Sequence, residues 1–264
     1  MSNSSETWQW IDEDPIEKLL RPAPDSSPED IAKSPSETFI IRGRAQFARQ
    51  LFEEAADSFH AAIVAAPRHR TAHFDLAVCL EKLERWQAAA DSFRRSLEIE
   101  SARWQALVGL GSCLMHLGAA GEALSCFEQS LEAGAPDEAV LLGKAVALQK
   151  LSRYDEAEQA YRELLDMTPG SVEPLTNLIA MSVTRGDSAA IAEYSARLMK
   201  THPQSKSALQ GLAMLAIASG DQATAIDYCT RLVEADPDSF EGRFNLRFVQ
   251  QRMRQPGKSA RSIA

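Results

Sequence analysis

His69 and His73 stand four residues apart, a spacing that would bring two imidazoles onto one helix face and suit a divalent metal. His69 falls in a turn and no third ligand accompanies the pair, so both are read as solvated side chains. His60, His116 and His202 share no local cluster with cysteine or carboxylate. Gly109-Leu110-Gly111 invites comparison with a phosphate cradle, but no strand precedes it and neither a GxGxxG nor a GK[ST] spacing is present. Cys79, Cys113, Cys126 and Cys229 all fall inside helical patterns and form no C-x-x-C pair, so they are expected to be buried reduced thiols. The residues offer no catalytic constellation, cofactor loop or metal set. The expectation is a protein that is not an enzyme.

The elements that carry these residues repeat. Ala55, Ala89, Ala123, Ala157, Ile191 and Ala225 mark the same place at a constant spacing of 34 residues. Twelve residues before each marker comes Gly43, Ala77, Gly111, Ala145, Ile179 or Ala213, a column where small side chains let two helices approach closely. Gly111 of the glycine pair belongs to this column. Four residues after the marker come Phe59, Phe93, Phe127, Tyr161, Ser195 and Cys229, and three further on Ala62, Ser96, Ser130, Leu164, Leu198 and Leu232. These two columns trade volume, large then small in the first three copies and the reverse in the last two, which keeps core volume while changing its shape. Pro67, Pro169, Pro203 and Pro237 close four of the copies.

The columns predict paired helices over 37–50 and 53–66, 71–84 and 87–100, 105–117 and 121–133, 138–151 and 155–167, 172–185 and 188–201, and 206–219 and 222–235. Phe240 to Met253 continues the phase of a first helix before turning polar, as a helix capping the last apolar face would. With Leu110-Gly111, Ala123 and Phe127, and with Tyr154-Asp155-Glu156-Ala157, Tyr161 and Pro169, the chain resembles the tetratricopeptide repeat (TPR) family from residue 36 to about 252. The resemblance implies an all-α, right-handed superhelical solenoid. Its six repeats would be 36–69, 70–103, 104–137, 138–171, 172–205 and 206–239, with a capping helix over 240–254.

The resemblance also implies a concave groove lined by the first helix of each pair and made to hold another protein or a peptide segment. On that basis the groove residues are Ile40, Arg44, Phe47, Phe74, Asp75, Val78, Gln105, Val108, Met115, Leu142, Val146, Gln149, Asn177, Val183 and Met214. Many are apolar where an exposed helix face should be polar, which points to an interaction surface. The family's basic, asparagine-rich clamp for a chaperone C-terminus is not matched. Its places read Ile40 and Arg44, Asp75, then Gln105 and Gly109, or Leu142 and Val146, Asn177, then Ser207 and Gly211.

Of 264 residues, 45% are apolar and 25% charged, a composition typical of soluble proteins, and the formal charge of −9 opposes a nucleic-acid surface. Residues 1–35 carry −5 and 252–264 carry +4. The N-terminus lacks a basic region followed by an apolar one, and no apolar run approaches a membrane span. A cytoplasmic location and no membrane insertion are therefore expected. Residues 1–35 are serine- and proline-rich and acidic, and residues 255–264 are basic; both are expected to be disordered tails. Within the first, Asp14 and Pro15 suit the start of a short helix. Trp8, Trp10, Ile11, Ile16, Leu19 and Leu20 there form a docking motif, which would fill the chain's own groove or a neighbour's and so build a homo-oligomer. The leading expectation is a non-catalytic scaffold or adaptor; self-assembly through this segment is the alternative.

Overall fold

The computed structural model describes residues 34–101, 103–134 and 138–254. Among them are thirteen helices and no strand: α1 (Pro35–Phe47), α2 (Phe52–Ala65), α3 (Ala72–Lys82), α4 (Trp86–Ile99), α5 (Trp104–His116), α6 (Ala120–Glu132), α7 (Glu138–Lys150), α8 (Tyr154–Met167), α9 (Val172–Arg185), α10 (Ser188–Thr201), α11 (Lys206–Ser219), α12 (Gln222–Ala235) and α13 (Phe240–Arg254). Every helix expected from the columns is present, with ends displaced by three residues at most. The fold is all-α, a stack of helical hairpins. The N-terminal docking motif and the basic tail from 255 lie outside the described residues.

The period is also written in the backbone. Gln50, Glu84, Gly118, Ser152, Gly186 and Gly220 all take positive φ, between 56° and 79°, and they too are spaced by 34. Each ends the first helix of a hairpin and reverses the chain, a left-handed turn that glycine adopts freely. Three copies use Gln, Glu or Ser instead, at a cost of about 1 kcal/mol apiece. The second helices start in two ways. Asp187 accepts hydrogen bonds from the Ala189 and Ala190 amides at 3.1 Å, and Asp221 accepts one from Thr224 at 3.1 Å. α2, α4 and α6 follow Leu51, Arg85 and Ala119, which give no side-chain cap.

The chain divides into two compact units, one up to Ala157 and one from Glu158, with the boundary inside α8. In the first unit the small column works as its residue types demand. A methyl added to Gly43 would stand 2.6 Å from the Phe59 ring. The Phe127 ring lies between two helices, 2.8 Å from where a Gly111 methyl would sit and 2.7 Å from a Gly143 methyl. Gly109 abuts the Phe93 ring in the same way, so both glycines of the Gly-Leu-Gly stretch are helix contacts. Phe59, Phe74 and Phe93 are fully buried; each contributes about 1.5–3 kcal/mol through area removed from water.

In the second unit the exchange of volume is visible at Gly211, whose missing methyl would meet Ser195 Oγ at 2.8 Å and Ile191 at 3.1 Å. Leu198 fills the core that a ring occupies elsewhere, fully buried. Successive hairpins are also tied at equal offsets, for Arg197 donates to the Pro169 carbonyl at 3.4 Å and Arg231 to the Pro203 carbonyl at 2.9 Å.

Candidate functional site: the first-helix faces

Within each unit the first helices of neighbouring hairpins pack directly on one another, α1 on α3, α3 on α5 and α5 on α7 in the first, α9 on α11 in the second. They form one wall of each stack, and that wall is where a ligand-binding face would lie. Its composition differs from the sequence expectation. Ile40, Phe47, Phe74, Asp75, Val78, Met115 and Val146 are all buried, Met115 at the margin with 9% exposure. For Phe47 and Phe74 the reason is local, a neighbouring side chain of the second helix or the next hairpin. Phe47 meets Phe52 edge-on at 5.2 Å, and Phe74 meets Phe93 edge-on at 5.8 Å while the Arg103 guanidinium covers it 3.8 Å from the ring centroid. Apart from Met115, which borders an open hollow, these side chains are core, not an exposed lining. Gln105, Val108, Leu142 and Gln149 are half-buried and reach the surface of the first unit, as Asn177 does in the second. Val183 and Met214 are exposed, at 37% and 36%.

A charged cluster sits under the wall of the first unit. Arg44 donates from Nε and Nη2 to Asp75 Oδ2 at 3.1 and 2.9 Å, and from Nη2 to Thr71 Oγ1 at 3.3 Å. The Asp75 side chain is 1% exposed and Arg44 28%. Asp75 Oδ1 has no hydrogen-bond partner. Burial pushes the Asp75 carboxyl above the usual carboxylate range, against the pull of the Arg44 and Arg103 guanidiniums. Burial likewise lowers the Arg103 value, opposed by Asp75 and Glu100. Two cations over one carboxylate leave a positive excess, with Arg44 as its partly exposed end. The sequence singled out Arg44 and Asp75 but not Arg103, which precedes α5. Its one sequence-level signal is its place 28 residues after Asp75, nearly one repeat.

The first unit also has an open hollow of about 540 Å³ lined by Met115, Gly118, Ala119, Ala120, Gly121, Glu122, Lys150 and Leu151. Leu151 is 38% exposed at its edge, in the turn before the left-handed Ser152. It was not singled out in the sequence, because a leucine closing a first helix reads as core. The second unit has a comparable hollow of about 590 Å³, whose lining includes Leu212, Leu215, Tyr228 and Asp221.

The histidines and cysteines do structural work. His69 Nδ1 accepts from the Thr71 amide at 3.3 Å and its Nε2 lies 3.1 Å from Glu37, whereas His73 Nε2 lies 2.9 Å from the Pro67 carbonyl oxygen. The two rings therefore serve separate partners, and no group of three metal-ligating side chains occurs among the described residues. All four thiols are free and buried, as expected from the helical pattern. Burial raises Cys126 to about 11 and moves the other three upward as well. None is held as a reactive thiolate. No helix among the described residues is long and apolar enough to cross a membrane.

A family model of the tetratricopeptide repeat matches residues 42–103 and 188–240, and a model of the coatomer epsilon subunit matches 119–210. No curated protein matches the chain in sequence. Among solved structures, PilW, described as a widely conserved type IV pilus biogenesis factor, superposes with a TM-score of 0.66 at 20% identity, over 81% of this chain and 100% of its own. Pseudomonas aeruginosa pilF gives 0.64 at 18%, over 79% and 95%. YrrB, described as a TPR protein with an unusual peptide-binding site, gives 0.60 at 17%, over 72% and 97%. Likeness at these identities speaks to the fold.

Proposed function

We propose, from the premise that this chain is a tetratricopeptide repeat protein, that it is a non-catalytic scaffold holding a segment of another protein on the first-helix face of its units. The fold itself suggests an interaction scaffold; the choice of face and ligand is our reading. What carries it is the hollow of about 540 Å³ where Met115 and Leu151 meet small residues, with Glu122 and Lys150 in its lining. An apolar side chain of a ligand would enter there, and the charged pair would fix the register of the polar groups beside it. Val108 and Leu142 extend the apolar contact, Gln105 offers an amide to a backbone, and Arg44 offers a cation held in place by Asp75. In the second unit Val183 and Met214, with Asn177, supply a face of the same mixed kind.

The test uses exposed positions, since substitution of Phe74 would disturb the core and say nothing about binding. Partners captured by the intact chain are identified by mass spectrometry, and capture is repeated with Leu151→Asp, with Val183→Asp/Met214→Asp, and with Val64→Asp as control. Val64 is 70% exposed on α2, a second helix. Loss with the first-helix variants and retention with the control is expected. Equal recovery by every variant refutes the proposal.

A further inference from the structure

The last described helix, α13, divides its sides sharply. Val249 is buried against the cluster containing Ala216 and Ala225, with Ile217 and Ile226 beside it, and Gly242 is buried next to Leu232. The opposite side carries Phe240, Phe244 and Phe248, which are 75%, 56% and 39% exposed. The Phe240 and Phe244 rings stack on each other 6.1 Å apart. At about 100° per residue, Phe240, Phe244, Phe248, Arg247 and Arg243 share a sector of roughly 140°. Arg243 and Arg247 are both exposed. The exposed side of α13 thus carries Phe240 and Phe244 with Arg243 and Arg247 along one edge.

Phe244 stands in the column of Ile40 and Phe74, which are buried, of Val108, Leu142 and Thr176, which are half-buried, and of Gln210, which is exposed. In α13 this position is 56% exposed, so an aromatic side chain of the column meets solvent. Two stacked phenylalanines at this exposure are costly to leave in water. A second copy docking α13 on α13 would bring Arg243 and Arg247 near their own images, and like charges penalise that arrangement. The surface asks for an apolar segment with negative charge.

We infer that this surface is the docking site of the chain's own N-terminal segment Trp8–Leu20. That segment has the complementary make-up: Trp8, Trp10, Ile11, Ile16, Leu19 and Leu20 are apolar, while Asp12, Glu13, Asp14 and Glu17 against Lys18 give it a net charge of −3. Its aromatic and aliphatic side chains meet the Phe240–Phe244 stack, and its carboxylates meet Arg243 and Arg247. The segment comes either from the same chain or from another copy. Phe244 and Phe248 continue the columns of Val108 and Met214, so the inference rests on the α13 end of the first-helix face. Its failure is read with Phe240→Ser/Phe244→Ser and that of partner capture with Leu151→Asp, which keeps the two distinguishable.

The experiment keeps the full chain. A fluorescent peptide of residues 5–22 is titrated into the Trp8→Ala/Trp10→Ala protein, whose own segment no longer competes. Saturable binding that weakens with salt is expected, and adding Phe240→Ser/Phe244→Ser to that protein should weaken it by about tenfold or more. Both phenylalanines are exposed, so circular dichroism should be unchanged in the variant. Equal binding with and without the phenylalanines overturns the inference, as does absence of binding to the Trp-less protein. Light scattering of the unsubstituted chain assigns the mode: mass rising with concentration, abolished by Trp8→Ala/Trp10→Ala, supports docking between chains. A concentration-independent monomer that binds the peptide less tightly than the Trp-less protein supports docking within one chain. A dimer that survives loss of the tryptophans but not of the phenylalanines shows that a second α13 is the occupant, and overturns the inference.

Discussion

Replacing Arg44 with Met should destabilise the first unit far more than replacing Asp75 with Leu, although each removes one end of the same ion pair. The asymmetry follows from depth. Asp75 is 1% exposed and Arg44 28%, so Arg44→Met strands a carboxylate where water does not reach, whereas Asp75→Leu leaves an arginine able to swing into solvent. Breaking a buried pair by removing one partner costs about 3–5 kcal/mol. Arg103 still pulls on Asp75, which puts Arg44→Met near the lower end, about 3 kcal/mol. Asp75→Leu should cost about 1 kcal/mol or less, because the desolvation of the carboxylate and its orphaned Oδ1 is abolished along with the pair. The double variant Arg44→Met/Asp75→Leu should lie close to the unsubstituted protein. In a Trp8→Ala/Trp10→Ala background the remaining tryptophans, Trp86 and Trp104, both belong to the first unit, so urea unfolding followed by their emission reports on it selectively. With a slope of about 2 kcal/mol per molar urea, the midpoints should separate by about 1 M. Equal losses from the two single variants, or a larger loss from Asp75→Leu, would refute an account in which desolvation of Asp75 governs the cluster.

Because burial raises the folded Asp75 value above the unfolded one, its contribution is fully present below the ordinary carboxylate range and is lost as pH rises through the folded value. Asp75→Asn does not titrate, so it should gain on the unsubstituted protein between pH 4 and neutrality in urea midpoints at each pH; a constant difference contradicts this. Gln50→Gly, Glu84→Gly and Ser152→Gly should each leave stability unchanged or raise it by up to about 1 kcal/mol, since relief of left-handed strain outweighs the entropy of the added glycine, whereas Gly118→Ala should lower it, read as shifts in thermal midpoint. Ser96, Ser130 and Ser195 bury hydroxyls without partners, so alanine at each should be neutral or stabilising by about 1 kcal/mol; a loss above that would reveal a hydrogen bond. Gly143→Ala gains helix propensity of about 1 kcal/mol but places a methyl 2.7 Å from the Phe127 ring, and overpacking of about 1–3 kcal/mol should win. Phe127→Leu should then reverse its sign, as a double-mutant cycle would show.

How far the sequence could be read follows from what its columns encode. A repeat of 34 residues fixes which positions two helices share, so helix extents, the approach of Gly43 to Phe59 and of Gly111 to Phe127, and the burial of the thiols were all legible. The columns do not encode how much of a first-helix face its neighbours cover. Phe74 and Val108 occupy the same column, yet Phe74 is enclosed by Phe93 and Arg103 while Val108 is half-buried. Coverage depends on the size of residues one repeat away, and no single column carries that information. Asp75 misleads for the same reason: a carboxylate on a first helix reads as a surface group until Arg44 and Arg103 are seen to close over it. The left-handed turns were legible only where glycine fills them, since Gln50, Glu84 and Ser152 have no sequence mark of their conformation. In the last helix the logic runs the other way. Phe244 sits in a column whose members run from buried Ile40 and Phe74 to exposed Gln210. An aromatic ring at an exposed place of that column is the mismatch between residue type and exposure from which docking of Trp8–Leu20 is inferred.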